Sequence, residues 1–145
     1  MDILLDTGFL VALMAKDSQH HDTAKAILEK YSRANYHTLW ECVTEAGHFL
    51  NIQGRYALLN WLAEYGVTVH SSRVEDLKDM ATYIKKYPNV SKGKGADIAD
   101  VALVFLANRL KSSYIFTVDR ADFTVYRTKT GKPFTRLWVH DGDNH

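Results

Sequence analysis

Residues 98–110 read IADVALVFLANRL, a helix-length segment in which Ile98, Val101, Ala102, Leu103, Val104, Phe105 and Leu106 place apolar side chains on almost every face. A helix at a protein surface keeps one polar face, so a helix like this has to lie buried among other elements. The chain must therefore build layers on both sides of it. With 145 residues it can bury roughly 68–70% of its unfolded surface, which supports a core without disulfide or metal staples.

Short apolar runs and helical patterns alternate along the rest of the chain. Ile3–Leu5 is a buried-strand run closed by Asp6, and Thr7 is placed to cap a helix through Phe9, Leu10, Leu13 and Met14. A second helix is expected over Asp22–Ser32, a strand over Tyr36–Leu39 and a helix over Cys42–Ile52. Gly54 separates that helix from another, Ala57–Tyr65, which Gly66 stops. Val67–Val69 is a strand, and Val74–Tyr87 a helix that ends before Pro88, because proline pushes its predecessor out of helical geometry. Val90–Gly95 is a Gly/Lys loop, after which Asp97 caps the apolar helix. Tyr114–Val118, Thr124–Tyr126 and Thr135–Val139 complete the expected strands. No repeat or Pro/Gly-rich linker divides the chain, so residues 1–145 are expected to form a single domain. Strands alternating with helices imply a three-layer α/β/α architecture around a mostly parallel sheet.

The apolar runs Phe9–Ala15 and Val101–Ala107 fall far short of the ~20 residues that span a bilayer, so no membrane is expected. The opening MDILLD carries acid where a secretion signal carries base. The lone Cys42 cannot form an internal disulfide and reads as a small, semi-buried side chain; both features suit the cytoplasm. Charge is unevenly spread. Between Lys85 and Arg136, 11 basic residues meet only four acids: Asp97, Asp100, Asp119 and Asp122. Such a stretch suits a polyanion handled beside a carboxylate site.

In a parallel α/β sheet, ligands bind outside the carboxyl ends of the strands. Asp6 and Asp119 each follow an apolar strand and would project there. Glu45 sits beside the apolar stripe of its helix rather than opposite it, flanked by Val43, Ala46 and Phe49. Asp97 and Asp100 share one face at the start of the apolar helix. Asp97 also reads as that helix's N-cap, whereas Asp100 lies too far in to cap it. Carboxylates gathered in one crevice stay ionised together only when a cation offsets them; otherwise one must hold a proton. Oxygen-only ligands favour Mg²⁺ or Mn²⁺ over zinc, a set suited to metal-assisted phosphodiester hydrolysis.

In chain order, the segments LLDTGFLVAL, TEAGHFL, DIADVALVFLANRL and IFTVDRADFTVYR resemble the PIN-domain nucleases, especially the VapC-type toxins of bacterial and archaeal toxin–antitoxin pairs. The resemblance runs from Asp2 to about Tyr126. It implies metal-binding acids at Asp6, Glu45, Asp100 and Asp119, with Asp97 a frequent fifth, and places Thr7 at the hydroxyl position after the first acid. The family often has Ser next, where this chain has Gly8. The resemblance also implies a Mg²⁺- or Mn²⁺-dependent endoribonuclease that acts as a toxin, a homodimer, and a cognate antitoxin whose C-terminal segment covers the site.

Lys92, Lys94, Arg120 and Arg127 are the candidates for guiding the RNA backbone, and Tyr126 or Tyr87 for stacking a base. Asp122 reads as a cap or turn residue. The competing reading is a PIN-fold module that holds RNA or protein without cutting it. Other chemistries lack their motifs. No histidine pair has the spacing of a helical zinc site, no Gly-x-Gly-x-x-Gly follows the first strand, and GKGAD is not a P-loop.

Overall fold

A computed structural model describes residues 1–118 and 120–138 of the chain. The elements are β1 (Asp2–Leu5), α1 (Thr7–Met14), α2 (His21–Lys30), β2 (Asn35–Leu39), α3 (Trp40–Phe49), α4 (Ile52–Tyr65) and β3 (Thr68–His70). A 3₁₀ turn over Val74–Asp76 leads into α5 (Leu77–Lys86), α6 (Val90–Gly93), α7 (Ile98–Leu110), β4 (Tyr114–Phe116), α8 (Arg120–Val125) and β5 (Thr135–Arg136).

The sheet order is β3-β2-β1-β4-β5, and every pairing among the described strands is parallel. Ile3, Leu4 and Leu5 of the central strand are completely buried, as a strand covered on both faces requires. Parallel strands need right-handed crossovers. The chain steps one way from β1 through β2 to β3, then returns across β1 to β4 and β5. With right-handed crossovers that reversal sends the connections before and after β3 to opposite faces, giving the α/β/α layers, while α3 and α7 still meet. Accordingly α1 packs on α2, α3 and α4, and α5 packs on α7. In α7, Val101, Leu103, Val104 and Leu106 are fully buried. Each such side chain is worth roughly 1.5–3 kcal/mol by burial. Ile98, at the start of that helix, is nevertheless exposed.

Several local expectations are corrected. Thr124–Tyr126 is not a strand; Thr124 and Val125 end α8. The β-branched and aromatic residues there favour a strand locally, but Phe123 and Tyr126, three apart, both need burial and both reach the core at 0% exposure. Helical spacing satisfies them and alternation would not. Gly54 does not separate two helices but lies inside α4, which Asn51 caps by accepting the Gly54 N–H at 2.9 Å. A Cβ on Gly54 would stand 3.0 Å from Leu50 Cβ, so glycine permits the tight approach of the two helix ends. Residues 90–93 form an irregular turn rather than open loop, with Ser91 and Lys92 left-handed at φ 54° and 57°. The last expected strand shortens to β5, and Val139 lies outside the described residues.

Asp122 does more than cap. Its carboxylate accepts the Ser91 N–H at 3.0 Å and the Ser91 hydroxyl at 2.8 Å, tying α8 to α6. Across the other half of the sheet, His37 bonds both His70 and Asp2 at 2.9 Å. That hydrogen bond holds the Asp2 carboxyl below its usual range. Among the described residues, no helix is long and apolar enough to cross a membrane.

Candidate active site

The strand order reverses between β1 and β4, and in open parallel sheets that point is where a crevice forms at the carboxyl ends. Asp6 stands there. It leaves β1 directly, and its backbone N–H donates to Phe116 O of β4 at 3.3 Å. Its side chain is almost wholly buried. Oδ1 accepts the Phe9 N–H at 2.8 Å, and Oδ2 accepts the Thr117 hydroxyl. Asp6, rather than Thr7, is therefore the N-cap of α1. The correction follows from chain direction: the residue still in extended geometry carries the oxygen that faces the free N–H groups of the first turn.

Asp97 caps α7 as expected, with Oδ1 accepting the Asp100 N–H at 2.8 Å. The Tyr126 hydroxyl reaches Asp100 Oδ2 at 3.4 Å. Glu45 comes from α3, which packs on α7. Asp6, Glu45, Asp97 and Asp100 all line one open cleft of about 390 Å³, together with Thr7 and Gly8. Three separate elements thus bring four acids to one place. No Lys or Arg is among the described residues lining it, and His20 is the other titratable side chain among them. The remaining expected acid, Asp119, lies outside the described residues, as does the side chain of Arg120.

Charge and donor chemistry suit a hard cation. The four acids and Thr7 that line the cleft offer carboxylate and hydroxyl oxygens. Among the described residues, no group of three or more His, Cys, Asp or Glu side chains is placed to hold a metal ion. An ion that keeps several of its waters, as Mg²⁺ does, fits such an open site.

Cys42 lies beneath the cleft, fully buried rather than semi-buried. Burial pushes its thiol far up, and the negative charges of Asp6 and Asp100 push in the same direction against hydrogen bonds with Thr7 and Thr38. It stays protonated and serves packing.

The other candidate residues are more scattered. Thr7 lines the cleft. Lys92 and Lys94, on or just after α6, do not. Arg127 lines a different cavity, and its Nη1 donates to the carbonyls of Thr124, Val125 and Tyr126 at 2.8–2.9 Å. Tyr126 is 0% exposed and so cannot stack a base; its ring is core and its hydroxyl serves Asp100. Thr117 is the residue that sequence reasoning missed. It lies 111 positions from Asp6, and only the β1–β4 pairing joins them.

The departure at Gly8 has a steric cause. A Cβ there would stand 2.4 Å from Val118 Cγ2, and a β-branched side chain has little rotamer freedom with which to yield. Gly8→Ala is expected to cost about 1–3 kcal/mol through overpacking, and Gly8→Ala combined with Val118→Ala to recover most of it. Urea melts of the two variants check this; equal losses in both would show that Val118 is not the obstacle.

The family model of the PIN domain matches residues 3–128. No curated protein matches the chain. Among solved structures, the crystal structure of Mycobacterium tuberculosis VapC20, a toxin that cleaves the sarcin–ricin loop, is similar with a TM-score of 0.72 at 17% identity. The match covers 92% of this chain and 98% of that one.

Proposed function

The chain belongs to the PIN-domain family, and on that footing we propose that it is a metal-dependent endoribonuclease of the VapC type. The observation that carries this reading is the cleft at the β1–β4 reversal, lined by Asp6, Glu45, Asp97 and Asp100 with no basic side chain among its described residues. A DNA- or RNA-holding groove is normally basic. An acidic one calls for a cation between protein and phosphate.

Asp6, Glu45, Asp97 and Asp100 would hold Mg²⁺ or Mn²⁺, with Asp119 as the further acid that the family resemblance assigns. When bound, the ion supplies charge to offset the phosphate and to promote attack by water. The chain's own residues do the positioning. The Phe9 N–H and Thr117 hydroxyl hold Asp6 in place, the Asp100 N–H fixes Asp97, and Tyr126 orients Asp100. Such supports matter because ligands that are already oriented need no rearrangement as the phosphate arrives.

Protein partners belong to the same proposal. Phe49, Ile52 and Tyr56 are each more than 70% exposed, and Trp40 and Leu59 about half. Ile52, Tyr56 and Leu59 follow helical spacing along α4, and Phe49 and Tyr56 line one cavity; exposed apolar residues gathered in that way mark a surface that another chain covers, as an antitoxin or a second copy would. The exposure of Phe49 departs from its expected place in a buried stripe.

The test is labelled RNA incubated with the protein in Mg²⁺, in Mn²⁺ and in EDTA. Cleavage with either ion and none in EDTA is expected. Cleavage that persists in EDTA would sink the metal mechanism. Tight RNA binding with no cleavage under any condition would favour the non-catalytic module.

A further inference from the structure

A second cleft, of about 570 Å³, opens between α5, the C-terminal half of α7 and the segment 127–131. Its chemistry is the inverse of the acid cleft. Arg73, Lys86, Arg109, Arg127 and Lys129 line it, against Asp76 and Asp79. Among the described residues, none of these five cations has a carboxylate within ion-pair distance. Arg109 donates through Nη2 to Ser71 O at 3.0 Å, while its Nε is buried with no hydrogen-bond partner among the described residues.

The walls between the cations are aromatic. Tyr83, Tyr87 and Phe105 line the cleft, half-buried. Tyr83 is locked in place, its hydroxyl donating to Arg127 O at 2.9 Å and accepting the Arg127 N–H at 3.0 Å. Cations that follow a backbone and recessed rings that accept bases are the two components of single-strand recognition. A paired duplex could not present its bases to rings set inside a cleft. Tyr126, itself buried, packs against Tyr83 and Tyr87 of this cleft with centroids at 6.1 and 5.3 Å, while its hydroxyl reaches Asp100 of the acid cleft.

We propose that this basic, aromatic-walled cleft is a second RNA-binding site, which holds an unpaired stretch of the RNA strand away from the acid cleft. The inference rests on the reading that RNA is the substrate. It assigns Lys86, Lys129 and Arg73 to phosphates, and Tyr87 and Phe105 to bases.

Fluorescence anisotropy of a labelled single-stranded RNA of about 20 nucleotides, measured in EDTA to prevent cleavage, tests it. Lys86→Glu with Lys129→Glu is compared with Lys25→Glu with Lys30→Glu, an equal change of net charge at exposed positions on α2. The first pair is expected to weaken binding at least about tenfold and to flatten the salt dependence by roughly 0.7 in log–log slope for each phosphate no longer neutralised. The second pair should stay near wild type. Equal effects of both pairs, or no effect of the first, would overturn the site. So would polyglutamate peptide binding that the first pair abolishes while RNA binding is unchanged, since the occupant would then be an acidic protein. Cleavage reports separately. A wild-type protein that never cuts RNA but loses binding in the first pair keeps this site and loses the nuclease reading. One that cuts while both pairs bind alike does the reverse.

Discussion

Asp6→Asn is expected to lower RNA cleavage by at least about a thousandfold while shifting stability by no more than about 1 kcal/mol. The activity loss follows from position. Asp6 is the buried acid at the strand-order reversal, and a cation held there is worth several kcal/mol to a phosphodiester transition state, where ~4 kcal/mol is a factor of a thousand. The mild effect on folding follows from its partners. An asparagine oxygen can still accept the Phe9 N–H, which is the capping bond of α1. The Thr117 hydroxyl, now facing an amide, can accept instead of donating. Losing one charge from a crevice of four acids also relieves repulsion. Single-turnover cleavage at matched protein and metal concentrations, alongside thermal melts in EDTA, gives both numbers. Cleavage at the wild-type rate would make Asp6 purely a cap.

Asp97 and Asp100 should separate cleanly, although they stand on one turn. Asp100→Ala is expected to remove activity without a large loss of stability, because no helix end depends on its side chain. Asp97→Ala should cost about 1 kcal/mol, since its Oδ1 accepts the Asp100 N–H at 2.8 Å and alanine offers no cap. Its activity should fall only partly. The metal-free melt isolates the capping contribution, and titration of Mg²⁺ or Mn²⁺ against the cleavage rate isolates the other. An Asp97→Ala protein that melts like wild type but is dead would exchange the two roles.

Both predictions rest on acids that stand out in the amino-acid sequence, because each obeys a local rule. A carboxylate directly after a short apolar strand points out of the sheet edge, whatever the rest of the chain does. An aspartate immediately before a long apolar helix is placed to cap it, and Asp97 does. The alternation of apolar runs and helical patterns is enough for a parallel α/β sheet, since burying both faces of Ile3–Leu5 needs cover on both sides.

Other features depend on neighbours far away in the chain, and no local pattern encodes those. Thr124–Val125 carries strand-forming residues yet ends a helix, because Phe123 and Tyr126 reach one core only at helical spacing. Gly8 departs from the family's serine because Val118, brought alongside by the β1–β4 pairing, fills the space a Cβ needs. Thr117 supports Asp6 for the same reason. Arg127 illustrates the limit best: as one more positive charge it could serve any polyanion, and only packing puts it in a second cleft beside Tyr83 rather than at the acids. Helix caps and strand ends are set by interactions within a few residues, so they are readable directly. Which acids share a cleft, and which cations stand apart from it, is set by the crossover that returns the chain from β3 to β4.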